Sequence, residues 1–255
     1  MSFSPNLIHP DAPLLGPLQN PVFLLGTDDL GRDLLSRLLV GLGISVGIGI
    51  STAVVAVVLG TAYGLLAARF ENTRLAVIDT LLMRAIDVLY SLPAIVVVIW
   101  LGLYLSPVLS PFMGTSGASI TGLILAIAGF SWPDTARLVR AQAALIHREA
   151  YLEAGHTLGF SAFRLARHHI LPNLMGLLRV ALLLTLPRAI LTESTLSFIG
   201  LGVTPPYASL GTLANDGWQL VRIAPHIMLE AALVLVLLIG AFQIISNTTA
   251  PKHLA

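Results

Sequence analysis

The sequence predicts an all-α polytopic membrane protein, because it is strongly apolar, contains long charge-free segments and lacks strand-like alternation. Of its 255 residues, 56% are hydrophobic and 11% are charged, and its mean hydropathy is +0.87; about a quarter of a soluble domain's residues carry charge. Residues 38–68 contain no charged side chain, whereas about 20 apolar residues suffice to cross a bilayer as a helix. Lipid offers the backbone no hydrogen-bond partners, so the spans must be helices or barrel strands, and the alternation of barrel strands is missing.

Five apolar segments are predicted to be transmembrane helices. They cover residues 38–68, 78–105, 118–132, 174–191 and 227–246. The third is short for a span, and we expect it to extend through Pro133 toward Arg137. No linker, low-complexity tract or repeat divides the chain. We therefore expect one transmembrane domain over residues 34–255, preceded by an N-terminal segment over residues 1–33.

The basic residues predict the orientation of these spans. The longest polar stretch, residues 134–173, carries five arginines, so the positive-inside rule places it in the cytoplasm. Alternating the spans from there puts residues 1–33 and a loop over residues 193–224 outside the cytoplasm. Nine basic residues then lie inside, namely Arg69, Arg74, Arg84, Arg137, Arg140, Arg148, Arg164, Arg167 and Lys252, against three outside, namely Arg32, Arg37 and Arg222.

The cytoplasmic loop has the pattern of a short helix, a tight turn and a second helix. Residues 141–158 are rich in helix-favouring Ala, Leu and Glu, Gly159 suits a left-handed helix end, and Ser161 is placed to cap the next helix. Pro172 fits the first turn of the following span, where its missing amide proton costs nothing. Such a loop presents a rigid knob to a soluble partner; the alternative interpretation is a solvated amphipathic linker.

The same loop resembles the EAA loop of ABC-importer permeases. The resemblance rests on Glu153-Ala154-Gly155, Gly159 and Leu171-Pro172, with Gly155 where a second alanine is usual. The ending His-Ile-Leu-Pro-Asn over residues 169–173 is similar to the dipeptide, oligopeptide and nickel permease group. Residues 26–37 and 193–206 resemble two further segments of that group.

This resemblance implies the helical fold of a type I ABC importer and a permease subunit that moves peptides or nickel through the cell membrane. The implied partners are a homologous permease, forming a heterodimer, two ATP-binding cassette subunits and an extracytoplasmic solute-binding protein. The residues implied to couple to the ATPase are Glu149, Glu153, Ala154, Gly155, Gly159, Leu171 and Pro172.

Both ends of the sequence depart from the pattern of that group. Its members carry an additional span before the stretch that begins at Gly26, and no such span is visible here. They also usually end in a charged tail after a Gly-Asp pair. A late start codon, a real loss of the first span and a divergent subunit are alternative explanations.

Several residues in or beside the apolar segments are candidates for the translocation path or the outer surface. Ionisable groups are costly in a membrane and point to a pathway or a partner, and a loop rich in Pro and Gly must lie in water or against protein. The candidates are Arg188, Glu193, Gly200, Gly202, Pro205 and Pro206, with Arg179 and Glu230 as further intramembrane charges. The alternatives are structural pairing for the charges and a passive connection for the loop.

The first span also carries two pairs of glycines at a spacing typical of close helix contact. They are Gly43 with Gly47 and Gly60 with Gly64. We expect them to pack against neighbouring helices, with a hinge in a gating span as the alternative.

Composition excludes several other classes of protein. The chain has no cysteine and a formal charge of +1, which argues against thiol chemistry and nucleic-acid binding. It lacks a Gly-x4-Gly-Lys-Ser/Thr loop, so ATP hydrolysis is expected in partner subunits, and no catalytic, cofactor or metal site is predicted. Two alternatives remain: a secondary transporter or channel, and an intramembrane protease with Ser116 in Gly-Thr-Ser-Gly and His226 as base.

Overall fold

The computed structural model of the chain describes residues 5–71, 73–152 and 159–249, and all of its named secondary-structure elements are helical. A π-helical turn, Ala166–Ile170, joins the fourth helix to the fifth, and residues 150–152 are also helical. The prediction of an all-helical fold is confirmed over this part of the chain. The helices are α1 Leu34–Phe70, α2 Ala76–Ser91, α3 Ala94–His147, α4 Ala162–Leu165, α5 Leu171–Phe198, α6 Leu210–Gln219 and α7 Pro225–Thr249.

Four helices in the described residues are long and apolar enough to cross a membrane. They are Leu34–Phe70, Ala94–Ile146, Ala162–Phe198 and Pro225–Ser246. The predicted count of five is not confirmed, because the end of the second predicted segment and the whole of the third lie in the single helix α3. Pro93 caps α3, so the segment predicted over residues 78–105 is divided there, as expected for a residue that restricts its predecessor to extended backbone.

The long helix α3 is bent into a hairpin. Gly114 has φ 70° and ψ 171°, which is not helical, so residues 94–113 and 115–147 form two arms. The arms pack side by side: Val98 of the first arm joins Leu123 and Ile127 of the second in one buried cluster. A Cβ atom on Gly122 would lie only 3.2 Å from the backbone nitrogen of Ser106. The stretch predicted to connect two spans is therefore largely helical, with its turn at one glycine.

Helix α1 lies at the centre and packs closely on the second arm of α3. A Cβ atom on Gly60 would lie 2.5 Å from the carbonyl oxygen of Trp132, and one on Gly64 would lie 2.8 Å from the Cβ of Val139. The expected close contact is present at this glycine pair. Gly43 and Gly47, predicted to pack in the same way, have no atom within 4 Å of such a Cβ, so that prediction is wrong within this chain.

The connections collect at the two ends of the bundle. At one end, Leu34 of α1 shares a buried cluster with Ala224 and Ile227 at the start of α7. At the opposite end, Ala68 of α1 shares a cluster with Ile146 of α3 and Leu174 of α5. The segments predicted to be outside meet at the first end and those predicted to be cytoplasmic meet at the second.

Candidate functional site

The predicted coupling loop begins with a break in the helix. The sequence predicted helix over residues 141–158, but α3 ends at His147 and the amide of Arg148 donates to the carbonyl of Leu145 at 3.1 Å. Residues 150–152 then resume helical structure. No Gly or Pro marks this break, so helix propensity did not predict it. Glu149 lies in the break and is exposed.

The entrance of the loop is anchored in the hydrophobic interior. Leu152 is 1% exposed and packs in the cluster that includes Val139 of α3, Leu165 of α4 and Leu174 of α5. The predicted contact residues Glu153, Ala154 and Gly155 lie outside the described residues. The segment that leads into them is therefore fixed to three helices at once.

The exit of the loop has the local structure that its residues favour. Gly159 has φ +77°, the left-handed conformation expected for a glycine at a helix end. The Ser161 hydroxyl accepts the amide of Arg164 at 3.3 Å as the N-cap of α4. Leu171 and Pro172 lie in the first turn of α5, and the π-helical turn makes α4 and α5 continuous. The exit of the loop therefore leads into one helical stretch from Ala162 to Phe198.

A polar contact joins the two sides of this loop. Asn173 donates from Nδ2 to the hydroxyl oxygen of Tyr151 at 3.0 Å and to the carbonyl of His169 at 2.9 Å. The rings of Tyr151 and His169 are 6.1 Å apart. Entrance and exit of the loop therefore lie side by side.

The Pro- and Gly-rich loop after α5 packs on the second arm of α3. The Ser119 hydroxyl donates to the carbonyl of Gly202 at 3.3 Å and accepts the amide of Thr204 at 3.2 Å. Gly200 has φ +82°, and a side chain at Gly202 would collide with Ser197. The loop also borders a cavity of about 210 Å³ beside the first arm of α3.

The exposed prolines and Ser116 lie at the rim of the same loop. Pro205 and Pro206 are exposed. The Ser116 hydroxyl donates to the carbonyl of Pro205 at 2.8 Å. A serine nucleophile would have to donate to a base, so this geometry gives no support to the protease alternative.

Glu193 is buried, unlike the other charged pathway candidate. Its side chain is 0% exposed and accepts hydrogen bonds from the hydroxyls of Ser45 at 2.9 Å, Ser194 at 3.2 Å and Ser197 at 2.7 Å. Among the described residues it forms no ion pair. Ser45 also accepts the amide of Leu210 at 3.2 Å, so the cluster ties α5 to α1 and to the start of α6.

Arg188 belongs to an exposed network of charges that the sequence did not predict. Its Nη1 lies 3.2 Å from Oδ2 of Asp134, whose other oxygen accepts the hydroxyl of Tyr90. Arg137 lies 4.7 Å above the ring of Tyr90 and pairs with Asp87 at 2.6 Å. Acidic residues inside apolar segments were the signal that could have drawn attention to Asp87 and Asp134.

A second network that the sequence did not predict fixes the N-terminal segment. Asp28 accepts from the amide of Arg32 at 2.9 Å and pairs with Nη1 of Arg37 at 2.5 Å. Arg37 also reaches Asp216 of α6 at 3.2 Å. Burial raises the pKa of the Asp216 carboxyl, and the neighbouring Arg37 acts in the opposite direction. This network attaches residues 5–33 to the bundle.

Comparison with known proteins identifies the family. A family model described as "Binding-protein-dependent transport system inner membrane component" matches residues 60–252. The chain is 41% identical over 192 residues, covering 75% of it, to "Dipeptide transport system permease protein DppC" of Bacillus subtilis. It is 38% identical over 83% of its length to "Oligopeptide transport system permease protein OppC" of the same organism. It is 32% identical over 88% of its length to "Glutathione transport system permease protein GsiD" of Pectobacterium atrosepticum.

These relatives are longer than this chain, and solved structures share its fold. The matches span 55%, 63% and 69% of those three proteins. A chain of the inward-facing MetNI methionine ABC transporter superposes with a TM-score of 0.63 at 20% identity, over 85% of this chain and 96% of that one.

The matched relatives are permease proteins of transport systems. The prediction of a transport subunit rather than an enzyme agrees with them. Together with the helical fold and the apolar spans, the matches show a multi-pass membrane component. The chain therefore belongs to the family of binding-protein-dependent transport system inner membrane components, as the resemblance of its loop motifs predicted.

Proposed function

We propose that this chain is a permease subunit of an ATP-driven importer for peptides. In this proposal it pairs with a homologous permease, receives substrate from an extracytoplasmic solute-binding protein and is driven by two ATPase subunits. The observation that carries the proposal is family membership over residues 60–252. The names of the relatives specify dipeptides, oligopeptides and glutathione, so we favour peptides over nickel.

The coupling role is assigned to the loop that ends at Leu171 and Pro172. Burial of Leu152 at its entrance supports this assignment, as does the helix that runs unbroken from Ala162 to Phe198 at its exit. We infer that a pull by a partner on this loop moves its entrance and its exit together. Glu153, Ala154 and Gly155 stand between the entrance and the exit in the sequence, and we propose them as the contact with the ATPase.

The two arms of α3 are proposed to cross the membrane separately, which gives five crossings. The first arm, residues 94–113, measures about 30 Å as a helix, the thickness of the hydrocarbon core. Arg188 is kept as a lining residue of the path because it is exposed. Glu193 is assigned a structural role because it is buried. The loop with Pro205 and Pro206 is proposed to face the solute-binding protein.

Uptake by proteoliposomes that contain the complete importer tests this function. We expect accumulation of a radiolabelled peptide with ATP inside and none after ATP is depleted. Uptake that persists without ATP when an ion gradient is imposed would favour the secondary-transporter alternative.

Coupling is tested by Gly159→Val, with Gly176→Val as its control. Neither position has an atom within 4 Å of a new Cβ, but only Gly159 has a positive φ. Valine at Gly159 should therefore strain the turn, with a backbone cost of about 1–2 kcal/mol, and abolish uptake while the chain still inserts. Glu153→Arg should weaken copurification of the ATPase. Normal uptake and ATPase binding in both loop variants would refute the coupling assignment.

A further inference from the structure

The ion pair between Arg188 and Asp134 is exposed although both residues lie on helices of spanning length. The exposed fractions of the two side chains are 72% and 56%. Arg188 lies about 15 Å along α5 from the end of the helix at Phe198. Charges in spanning segments face the bundle interior or a water-filled cavity, since contact with lipid is costly. This face of the subunit is therefore expected to meet water or protein.

The pair is arranged so that it can open without leaving Asp134 unpaired. One oxygen of Asp134 accepts from Arg188 and the other accepts from the hydroxyl of Tyr90. Arg137 lies over the ring of Tyr90, and Asp87 pairs with Arg137. When Arg188 moves to another anion, Asp134 keeps a donor and is free to accept a cation.

A cavity lies one helical turn from the ion pair. Its volume is about 210 Å³, smaller than the roughly 300–1,000 Å³ of pockets for drug-sized ligands, and suited to a single side chain. Its walls are mainly apolar, including Ile95, Val98 and Phe130, and three hydroxyl residues border it: Ser131, Thr192 and Thr195. Ser131 precedes Asp134 by three positions and Thr192 follows Arg188 by four, spacings that share a helix face.

We propose that the Arg188–Asp134 pair and this cavity form a transient binding point for a zwitterionic peptide in the translocation path. The peptide carboxylate replaces Asp134 on the Arg188 guanidinium, in the fork geometry that suits carboxylates. The peptide ammonium pairs with the released Asp134, and one apolar side chain enters the cavity. This inference rests on the proposed function, because it takes peptides as the substrate.

The charge contacts are tested in the complete importer, purified through a tag on this chain and reconstituted in proteoliposomes. The probes are the radiolabelled tripeptides Ala-Ala-Ala and Ala-Phe-Ala. Arg188→Gln and Asp134→Asn should each lower the uptake of both peptides by about tenfold, the effect of losing a contact made during passage. Arg188→Lys, which keeps the positive charge, should retain more uptake than Arg188→Gln. ATPase subunits should copurify with every variant.

The cavity is tested by Thr195→Trp, which fills it, with Thr80→Trp as a control. Thr80 is also exposed and also donates to the carbonyl four residues earlier, but it does not line the cavity. Thr195→Trp should lower the uptake ratio of Ala-Phe-Ala to Ala-Ala-Ala by about tenfold, the scale of discrimination by an apolar pocket. If Thr195 only stabilised the fold, Thr195→Trp would lower the uptake of both peptides equally and leave this ratio unchanged.

The outcomes separate this inference from the function on which it rests. Active wild-type importer with unchanged uptake in the Arg188 and Asp134 variants would overturn the binding point alone. Loss of partner subunits from those variants would also overturn it and assign the ion pair to the subunit interface. A wild-type importer that moves neither peptide would overturn the proposed function and the binding point together.

Discussion

At the scale of single residues, Glu193 shows how a buried polar side chain is accommodated by hydrogen bonds. Three serine hydroxyls donate to its carboxyl oxygens, and a polar group is costly to bury unless it has such partners. Ser45 is the member that links separate elements, because it also accepts the amide of Leu210. Removing that hydroxyl leaves the Glu193 carboxyl and the Leu210 amide each with one hydrogen-bond partner fewer.

Ser45→Ala is accordingly expected to destabilise the fold by about 1–3 kcal/mol, the cost of leaving buried polar groups unsatisfied. Ser110→Ala is the matched control, since that hydroxyl is exposed and bonds only to the carbonyl of Pro107. Thermal unfolding in detergent, followed by tryptophan fluorescence, should show a lower midpoint for Ser45→Ala and little change for Ser110→Ala. Equal midpoints in the two variants would mean that the cluster around Glu193 does not stabilise the bundle.

At the scale of elements, features set by local chemistry were predictable from the sequence. Pro172 in the first turn of a helix, Gly159 at a positive φ and Ser161 as an N-cap each follow from the residue itself and its near neighbours. The break at Arg148 has no such local signal. The turn at Gly114 lies between Pro111 and Gly117, in the connection predicted between the second and third apolar segments, but the sequence did not predict that helix continues on both sides of it.

The sequence predicted that α1 makes close contacts with other helices, but it did not predict which part of α1 makes them. Both glycine pairs of α1 have the spacing for close approach, yet only Gly60 and Gly64 face another helix of this chain. The spacing repeats along α1, whereas the direction that each pair faces depends on how the helix is rotated in the bundle. The ion pairs Arg188–Asp134 and Arg137–Asp87 could not be predicted from the sequence either, because each joins residues far apart in the chain.

The contact between α1 and α3 can be tested with Gly64→Val and Gly47→Val. A valine at Gly64 would overlap the backbone carbonyl of Ala136 and the side chain of Val139, and overpacking of this kind costs about 1–3 kcal/mol. A valine at Gly47 meets open space. Unfolding of the isolated chain in detergent should therefore occur at a lower temperature for Gly64→Val only. A similar loss in both variants would indicate that helix conformation, rather than contact with α3, determines the effect.

At the scale of the whole molecule, ion pairs join different segments at each of the two ends of the bundle. Arg37 of α1 contacts Asp28 before it and Asp216 of α6 at one end. Arg140 of α3 pairs with Asp79 of α2 at 2.6 Å toward the opposite end. The distribution of arginines predicted which segments lie at the same end of the bundle, because that prediction needs only the positions of the arginines and the alternation of spans. The individual partners depend on tertiary packing and could not be predicted in this way.

The orientation itself is tested by single cysteines labelled with a membrane-impermeant thiol reagent. The chain has no cysteine of its own, so each introduced thiol reports one position. Thr204 and Leu18 are exposed in segments predicted to be outside, and Phe163 is exposed in the loop predicted to be cytoplasmic. Phe163 is preferable to Ser161, whose side chain caps α4.

In intact cells, Thr204→Cys and Leu18→Cys should react with the reagent and Phe163→Cys should not, because a charged reagent does not cross the bilayer. After the cells are permeabilised, all three should react, which controls for burial. If Phe163→Cys reacts in intact cells and neither Thr204→Cys nor Leu18→Cys does, the orientation is the reverse of the predicted one. Labelling of Leu18→Cys without Thr204→Cys would instead contradict the contact between Arg37 and Asp216, because that contact requires the N-terminal segment and α6 to lie at the same end of the bundle.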